Sequence, residues 1–294
     1  MKNMRIPLII SLGVAVIGII FGSFFDLQIS QAIASPKNNF ALMVSAIGPT
    51  IGFAGVAIMG GGFVAFIIKG NYNIILKLLF GVLALCCLGV AIYYPAGEYF
   101  GINGFYGVAP KAVGYAIVVL PELGAAVLGY FLFKDIKNTN TWILFCIVIV
   151  LLLIALLAVI PTIKDNMHRP RFRCIIAYPI EFHNWWEPCK DYKDLMSTYG
   201  IEKDNFKSYP SGHTAEAAIL LAPITFLPLA DKKFERYQMP LFYGACGLIL
   251  LVAFARILAA AHFLSDVSWG ATIMITLVLI ANEAVVHIKS LQIE

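Results

Sequence analysis

The sequence predicts an all-α, polytopic transmembrane helical bundle. Composition, the recurrence of long apolar runs and the placement of basic residues between them carry that prediction. Of 294 residues, 60% are hydrophobic and only 13% are charged, and the mean hydropathy is +0.84. Soluble domains carry about 25% charged residues, so a soluble fold of this length could not hide so much apolar surface. Lipid must cover it. The net charge of +4 is small and the bases are scattered between apolar runs, which excludes a nucleic-acid footprint.

Apolar runs of about 17 to 25 residues, the length needed to cross a bilayer, are read at roughly 6–24, 41–68, 74–94, 112–134, 141–163, 213–230, 240–261 and 265–288. The first follows Lys2 and Arg5, as the apolar run of a signal peptide would. The Ala32-Ile33-Ala34 triplet lies too far beyond it for typical cleavage. A retained first helix is therefore expected, followed by a short amphipathic segment from Phe24 to Ala34. Within the second run, Gly48 and Gly52 form a Gly-x-x-x-Gly pair, expected to serve close helix packing.

Eight spans put both termini on one side, and the positive-inside rule orients them. With the N-terminus inside, the short inner segments hold Lys2, Arg5, Lys69, Lys77, Lys134, Lys137, Lys232, Lys233, Arg236 and Lys289. The short outer segments hold Lys37 and Lys111, with Arg256 near an outer end. The expected location is thus the plasma membrane, with both termini cytoplasmic and the hydrophilic stretch 164–212 outside. No linker, low-complexity tract or internal repeat interrupts the chain, so residues 1–294 read as a single domain with an outer loop at 165–209.

Four of the six cysteines, Cys86, Cys87, Cys146 and Cys246, fall within apolar spans, where a small buried hydrophobe is the default. Cys174 and Cys189 share the outer loop, 15 positions apart. They are expected to form a disulfide in an oxidising compartment, with two free thiols as the alternative. No metal-ligand spacing or Cys-x-x-Cys motif occurs, and no metal or cofactor is expected.

Three polar clusters break the apolar pattern, and all fall at outer helix ends. They are Lys164 to Arg173 after the fifth run, Tyr209 to Thr214 before the sixth, and Arg256 through His262 to Asp266 across the seventh and eighth. Singly, each has a plain reading: an interfacial basic anchor, a serine helix cap, a structural ion network. Independent anchors, however, have no reason to meet on one face with two histidines, a carboxylate and several fixed cations. The combined chemistry suits an oxyanion. Arginine offers phosphate a planar fork of donors and lysine a point charge. Ser211 and Gly212 open a helix whose free amides also favour an anion. His262 and Asp266 are four apart and share a face if that stretch is helical. An aspartate on one ring nitrogen would fix the tautomer and leave the other nitrogen as a nucleophile. His213 is then available to protonate a departing oxygen.

These clusters resemble the signatures of the type 2 phosphatidic acid phosphatase superfamily, K-x6-RP, PSGH and SR-x5-H-x3-D. The second is intact as Pro210-Ser211-Gly212-His213. The third runs Arg256, His262, Asp266 at the family spacing, with Ala255 in place of serine. In the first, Lys164 and Arg171 have the six-residue gap but Phe172 replaces proline; a competing alignment uses Arg169-Pro170 with a four-residue gap. Arg171 is preferred, because spacing sets side-chain reach whereas proline contributes only backbone stiffness. The motifs cover residues 164 to 266 in the family's order.

The resemblance implies that His262 attacks phosphorus and forms a phosphohistidine, oriented by Asp266, while His213 donates the leaving-group proton. It implies that Lys164, Arg171, Arg256, Ser211 and Gly212 hold the phosphate, and that catalysis is metal-independent. The family core has six membrane helices, so two further spans before the first motif are a departure.

Among the other polar residues, Glu122 sits mid-span after Pro121 and reads equally as a functional intramembrane carboxylate or as a helix contact. Glu216 follows His213 in a first helical turn and reads as a complement to the helix dipole. Trp185 and Trp186 are expected at the membrane interface, or rimming a substrate entrance. His168 and His183 are expected to be solvated, and His287 lies at an inner helix end. The function these readings favour is a phosphatase acting on a lipid phosphate or diphosphate. Candidate partners are the bilayer and a lipid substrate: phosphatidic acid, phosphatidylglycerol phosphate or polyprenyl diphosphate. A lipid phosphotransferase using the same histidine intermediate is the alternative, and a non-enzymatic lipid-binding protein or transporter with an anion site is a third reading.

Overall fold

A computed structural model describes residues 4–100, 111–135 and 139–291. Lys2 and Lys137 lie outside the described residues, as do the side chains of Lys111, Cys146 and Lys289. The described residues form helices joined by turns and loops, with no strand. The long helices are α1 (Arg5–Ile33), α2 (Asn39–Lys69), α3 (Ile74–Phe100) and α4 (Lys111–Phe133). After them come α5 (Thr139–Ile154), α6 (Ile160–Met167), and the short α7 (Phe172–Ala177) and α8 (Tyr192–Tyr199) of the polar loop. The chain closes with α9 (Gly212–Ile219), α10 (Leu221–Ala230), α11 (Glu235–Leu258) and α12 (Leu264–Leu291). Among the described residues, eight helical segments are long and apolar enough to cross a membrane, which makes this a membrane protein.

The spans sort into an interior and a rim. The α2 span and the α9–α10 span are mostly enclosed by protein, whereas α1 and α3 turn most of their length outward. On α1 the outward face is apolar, as lipid contact requires: Ile6, Ile10, Ile17 and Phe24 are all exposed. Its inward stripe is Leu8, Ala15, Ile19, Gly22, Asp26 and Ser30. The core runs between α2, α9, α10, α11 and α12, where Phe53, Phe63, Phe226, Phe242, Val252 and Met274 meet. Gly52 lets α2 approach α9: a Cβ there would lie 2.5 Å from the backbone oxygen of Glu216. The packing role expected of the Gly-x-x-x-Gly pair is what that contact shows.

Two features depart from the sequence reading. The amphipathic segment expected after Phe24 is not separate, because α1 continues unbroken to Ile33. No glycine or proline lies between Phe24 and Ile33, and the polar Asp26 is buried rather than presented to an interface. The fifth span also runs past 163, and its middle is not α-helical. Ala155–Val159 form a π turn in which the Ile160 N–H donates to the carbonyl of Ala155. Pro161 follows directly; lacking an N–H, it cannot continue the α-helical bonding pattern. At the far end of the bundle, Arg5 Nε lies 3.8 Å from Glu283 Oε1. The start of α1 and the end of α12 therefore lie close together.

Candidate active site

Three backbone turns deliver the three motifs to one place. The first motif begins on the last turn of α6. That helix stops at His168, which adopts the left-handed conformation (φ 46°) and donates its N–H to the Lys164 carbonyl, 3.1 Å. The chain then extends through Arg169 to Arg171 and pairs with the segment ahead of the second motif. Arg171 N–H donates to Asn205 O at 2.8 Å, and Ser208 N–H donates to Arg169 O at 3.0 Å. The second motif opens α9, where Ser211 is the N-cap and its hydroxyl accepts from Thr214.

The third motif spans a helix–turn–helix. Arg256 lies in the last turn of α11. That helix ends in a Schellman arrangement: Ala261 N–H donates to Arg256 O at 3.1 Å, and Ala260 N–H to Ile257 O at 2.9 Å. The left-handed position is Ala260 (φ 54°), where glycine is usual, so the turn holds about 1–2 kcal/mol of backbone strain. The Ala260 carbonyl accepts from Arg173 N–H at 2.9 Å, and the Asp266 carbonyl accepts from Ser211 N–H, also at 2.9 Å. All three motifs are thus stitched together through main chain.

His262 lies in the turn before α12, not on a helical face shared with Asp266. Its ring is buried, and Nδ1 lies 2.6 Å from the Ser208 carbonyl oxygen. A carbonyl can only accept, so Nδ1 carries the proton and Nε2 the lone pair. Asp266 Oδ2 is 3.8 Å from Nδ1, too far for a hydrogen bond. That oxygen instead accepts from Ser208 Oγ at 2.5 Å and from Phe263 N–H at 2.9 Å. Asp266 thereby fixes the serine whose carbonyl holds the ring.

Burial disfavours the charged form of His262. Asp266 opposes that effect, while the charges of Arg256, Arg171 and Lys164 reinforce it, and the pKa is held well below the ordinary value of 6.5. The sign gives a stability prediction. Below pH 6.5 the unfolded chain takes up a proton that the folded imidazole refuses, so this residue lowers stability as pH falls and is neutral above. Thermal unfolding in detergent should weaken more steeply between pH 6.5 and pH 5 in the parent than in His262→Ala; parallel pH profiles would contradict it.

The cations differ in how they are held. Lys164 Nζ donates to the Lys207 carbonyl at 3.0 Å. Arg171 is clamped by Asp204, with Nε on its carbonyl at 2.9 Å and Nη2 on Oδ1 at 3.0 Å. Its Nη1 is buried with no hydrogen-bond partner among the described residues. Arg256 is 1% exposed. Arg169, the arginine of the competing alignment, is fully engaged elsewhere. Nε donates to the His183 carbonyl at 2.8 Å, Nη1 to Ser265 Oγ at 2.9 Å and to Asp266 Oδ1 at 2.6 Å, and Nη2 to Asp26 Oδ2 at 2.9 Å. Its guanidinium also lies 4.3 Å from the Phe263 ring centroid.

The expectations for the Cys174–Cys189 pair and for His168 need correction, and the remaining polar residues can now be placed. Cys174 and Cys189 are free thiols buried in one small cluster with Ile180, Ile201 and Phe206, and no disulfide joins them. Cys189 Sγ donates to Asp191 Oδ1 at 3.3 Å instead. His183, Cys189 and Asp191 bring ligand-type atoms within 4.8 Å of one another, a juxtaposition that linear spacing did not reveal. His168 is not simply solvated, since its ring stacks on Tyr192 at 3.5 Å. Trp185 is tied inward, its indole N–H donating to Ser23 Oγ of α1 at 2.9 Å, whereas Trp186 remains exposed. Glu122 is wholly buried in α4, and neither carboxylate oxygen has a hydrogen-bond partner among the described residues.

The sequence reading missed Ser208 and Asp204, which hold His262 and Arg171, and Asp26. Ser208 acts on the ring through a carbonyl that any residue would supply, so no sequence signal marks it. Asp26 did leave one: a carboxylate in an apolar helix, four residues after Gly22.

Fold and site together define a membrane-embedded helical protein that surrounds a buried histidine with basic side chains. The chain belongs to the PAP2 superfamily, whose family model matches residues 142–288 and so includes all three motifs. The superfamily consists mostly of phosphatases acting on phosphate esters. Comparison with curated proteins and with solved structures gives no match.

Proposed function

We propose that this protein is a lipid phosphate or lipid diphosphate phosphatase working through a phosphohistidine at the outer membrane–water interface. The observation that carries the reading is the state of His262: buried, neutral, with Nδ1 committed to the Ser208 carbonyl and three cations acting on it. That tautomer leaves Nε2 to attack phosphorus as the P–O bond to the leaving group breaks. His213, in the first turn of α9, supplies the proton to the departing oxygen. Lys164, Arg171 and Arg256 hold the phosphoryl oxygens, aided by the Gly212 amide, whereas the Ser211 amide is already committed to the Asp266 carbonyl. Water then cleaves the phosphohistidine, with His213 as base. Asp266 stabilises the arrangement through Ser208 and by its charge. No metal ion takes part in this reading.

The position of the site at the ends of apolar spans supports a lipid substrate. The predominance of bases on the opposite side supports cytoplasmic termini in the plasma membrane. The test is phosphate release from phosphatidic acid, phosphatidylglycerol phosphate and polyprenyl diphosphate in detergent with a chelator present. At least one should be hydrolysed at undiminished rate, with an acceptor lipid leaving phosphate yield unchanged. Strict dependence on an added divalent cation, or no release from any of the three, would refute the reading. Loss of free phosphate to an added acceptor would make the protein a phosphotransferase.

A further inference from the structure

We propose that Asp26, on the first helix and outside the family-matched segment, is a positioning residue of this site. It holds Arg169 and the first turn of α12, and through them Asp266 and His262. The inference rests on the phosphatase reading above and adds to it a residue that none of the three motifs contains.

Three observations carry it. First, the carboxylate of Asp26 is 2% exposed, deep in an apolar helix, and each oxygen is committed. Oδ1 accepts from the backbone N–H of Ser265 at 2.9 Å, while Oδ2 accepts from Arg169 Nη2 at 2.9 Å and from the Ser265 hydroxyl. Second, Ser265 is the second residue of α12, one of the positions whose amide no helical carbonyl can satisfy. Asp26 caps that amide from another helix, while Asp266 caps the Phe263 amide from within. Third, α1 is shaped for the approach. A Cβ on Gly22 would lie 2.5 Å from the Ser265 nitrogen, and one on Gly18 2.3 Å from Ser268 Oγ. Gly18, Gly22 and Asp26 succeed one another at four-residue intervals, so two bare positions and one carboxylate face the start of α12 along one stripe.

Arg169 is therefore shared between two buried carboxylates, Asp26 and Asp266, with every side-chain contact inside the protein. Asp26 draws the guanidinium from one side and fixes where Asp266 Oδ1 sits on the other. The second oxygen of Asp266 orders Ser208, and the Ser208 carbonyl orders the His262 ring. Asp26 touches neither the phosphate nor the reacting nitrogen. Its loss should act on turnover, not on substrate affinity.

The test compares the parent with Asp26→Asn and Gly22→Ala in detergent, following kcat, KM and the single-turnover rate of phosphoenzyme formation. Asparagine still accepts from the Ser265 amide but removes the charge opposite Arg169. Both kcat and the phosphoenzyme rate should fall about 10- to 100-fold, the loss expected of a hydrogen bond to a charged group when it falls on the transition state. KM should stay within about twofold of the parent, as for an interaction felt only in the transition state. Asp26→Glu, which keeps the charge, should recover more activity than Asp26→Asn. Gly22→Ala keeps every polar group but pushes α1 from Ser265, and should reproduce the kcat loss. Parental kcat in a folded Asp26→Asn protein overturns the proposal. So does a variant that loses activity only through a raised KM. If Asp26→Asn does not fold, Gly22→Ala decides by the same two criteria. A parent that forms no phosphoenzyme and releases no phosphate overturns the phosphatase reading itself, which separates that failure from this one.

Discussion

Replacing His262 with alanine is expected to abolish phosphoenzyme formation and to reduce turnover by about 10⁶-fold, as loss of a covalent nucleophile does elsewhere. The ring is the buried group whose proton is committed to a carbonyl, and alanine leaves the three surrounding cations with nothing to direct against phosphorus. His213→Ala should behave differently. A general acid contributes about 10²–10⁴-fold, and its value depends on how poor the leaving group is. The loss should be severe for lipid substrates, which expel alkoxides, and slight for activated aryl phosphates, whose leaving groups need no proton. Phosphoenzyme trapping with both substrate classes separates the two histidines. Equal losses for aryl and lipid phosphates in His213→Ala would remove it from the acid's role, and a labelled phosphoenzyme in His262→Ala would remove that residue from the nucleophile's.

The two arginines of the first motif should also fail in different ways. Arg171→Ala is expected to fold normally and to lose about 10²–10³-fold in kcat, the usual cost of one oriented donor to transition-state charge. Arg171 is clamped at Nε and Nη2 by Asp204 and keeps a buried Nη1 for a ligand. Arg169→Ala instead leaves Asp26 and Asp266 as neighbouring buried carboxylates without their counter-ion. Removing one partner from such a network costs about 3–5 kcal/mol of stability. The buried triad makes activity an insufficient readout, because both variants should be poor enzymes. Thermal unfolding beside activity resolves them: Arg171→Ala near the parental midpoint, Arg169→Ala well below it. A stable, active Arg169→Ala protein together with an inactive Arg171→Ala protein would show that the triad contributes little; the reverse pairing would put Arg169 on the phosphate and validate the four-residue spacing.

The spans were legible in the sequence because bilayer crossing depends on little beyond length and apolarity. Lys164, Arg171, Ser211, His213, Arg256, His262 and Asp266 were legible as candidates because their side-chain types and order carry chemistry on their own. What stayed hidden were contacts in which the side chain is not the actor or the partner is remote. Ser208 serves the ring through its carbonyl, and Asp266 reaches the ring through Ser208 instead of bonding it directly. The i, i+4 spacing of His262 and Asp266 suggested a shared helical face, but a left-handed turn at Ala260 places His262 ahead of the helix. Asp26 lies 143 residues from Arg169 in sequence, and no periodicity within α1 reveals such a partner.

The π turn at Ala155–Val159 has a consequence for how Lys164 is aimed. In an uninterrupted α-helix each residue advances the azimuth by about 100° (3.6 residues per turn). A single wide turn accommodates one extra residue, so everything beyond it is rotated by about that angle relative to the apolar stripe before it. The lipid-facing side of α5 and the bearing of Lys164 are thereby set independently: the first by where α5 packs, the second by the count of residues through the wide turn. The ammonium ends up directed at the Lys207 carbonyl and inward, along a heading that a regular helix of the same sequence would not have had.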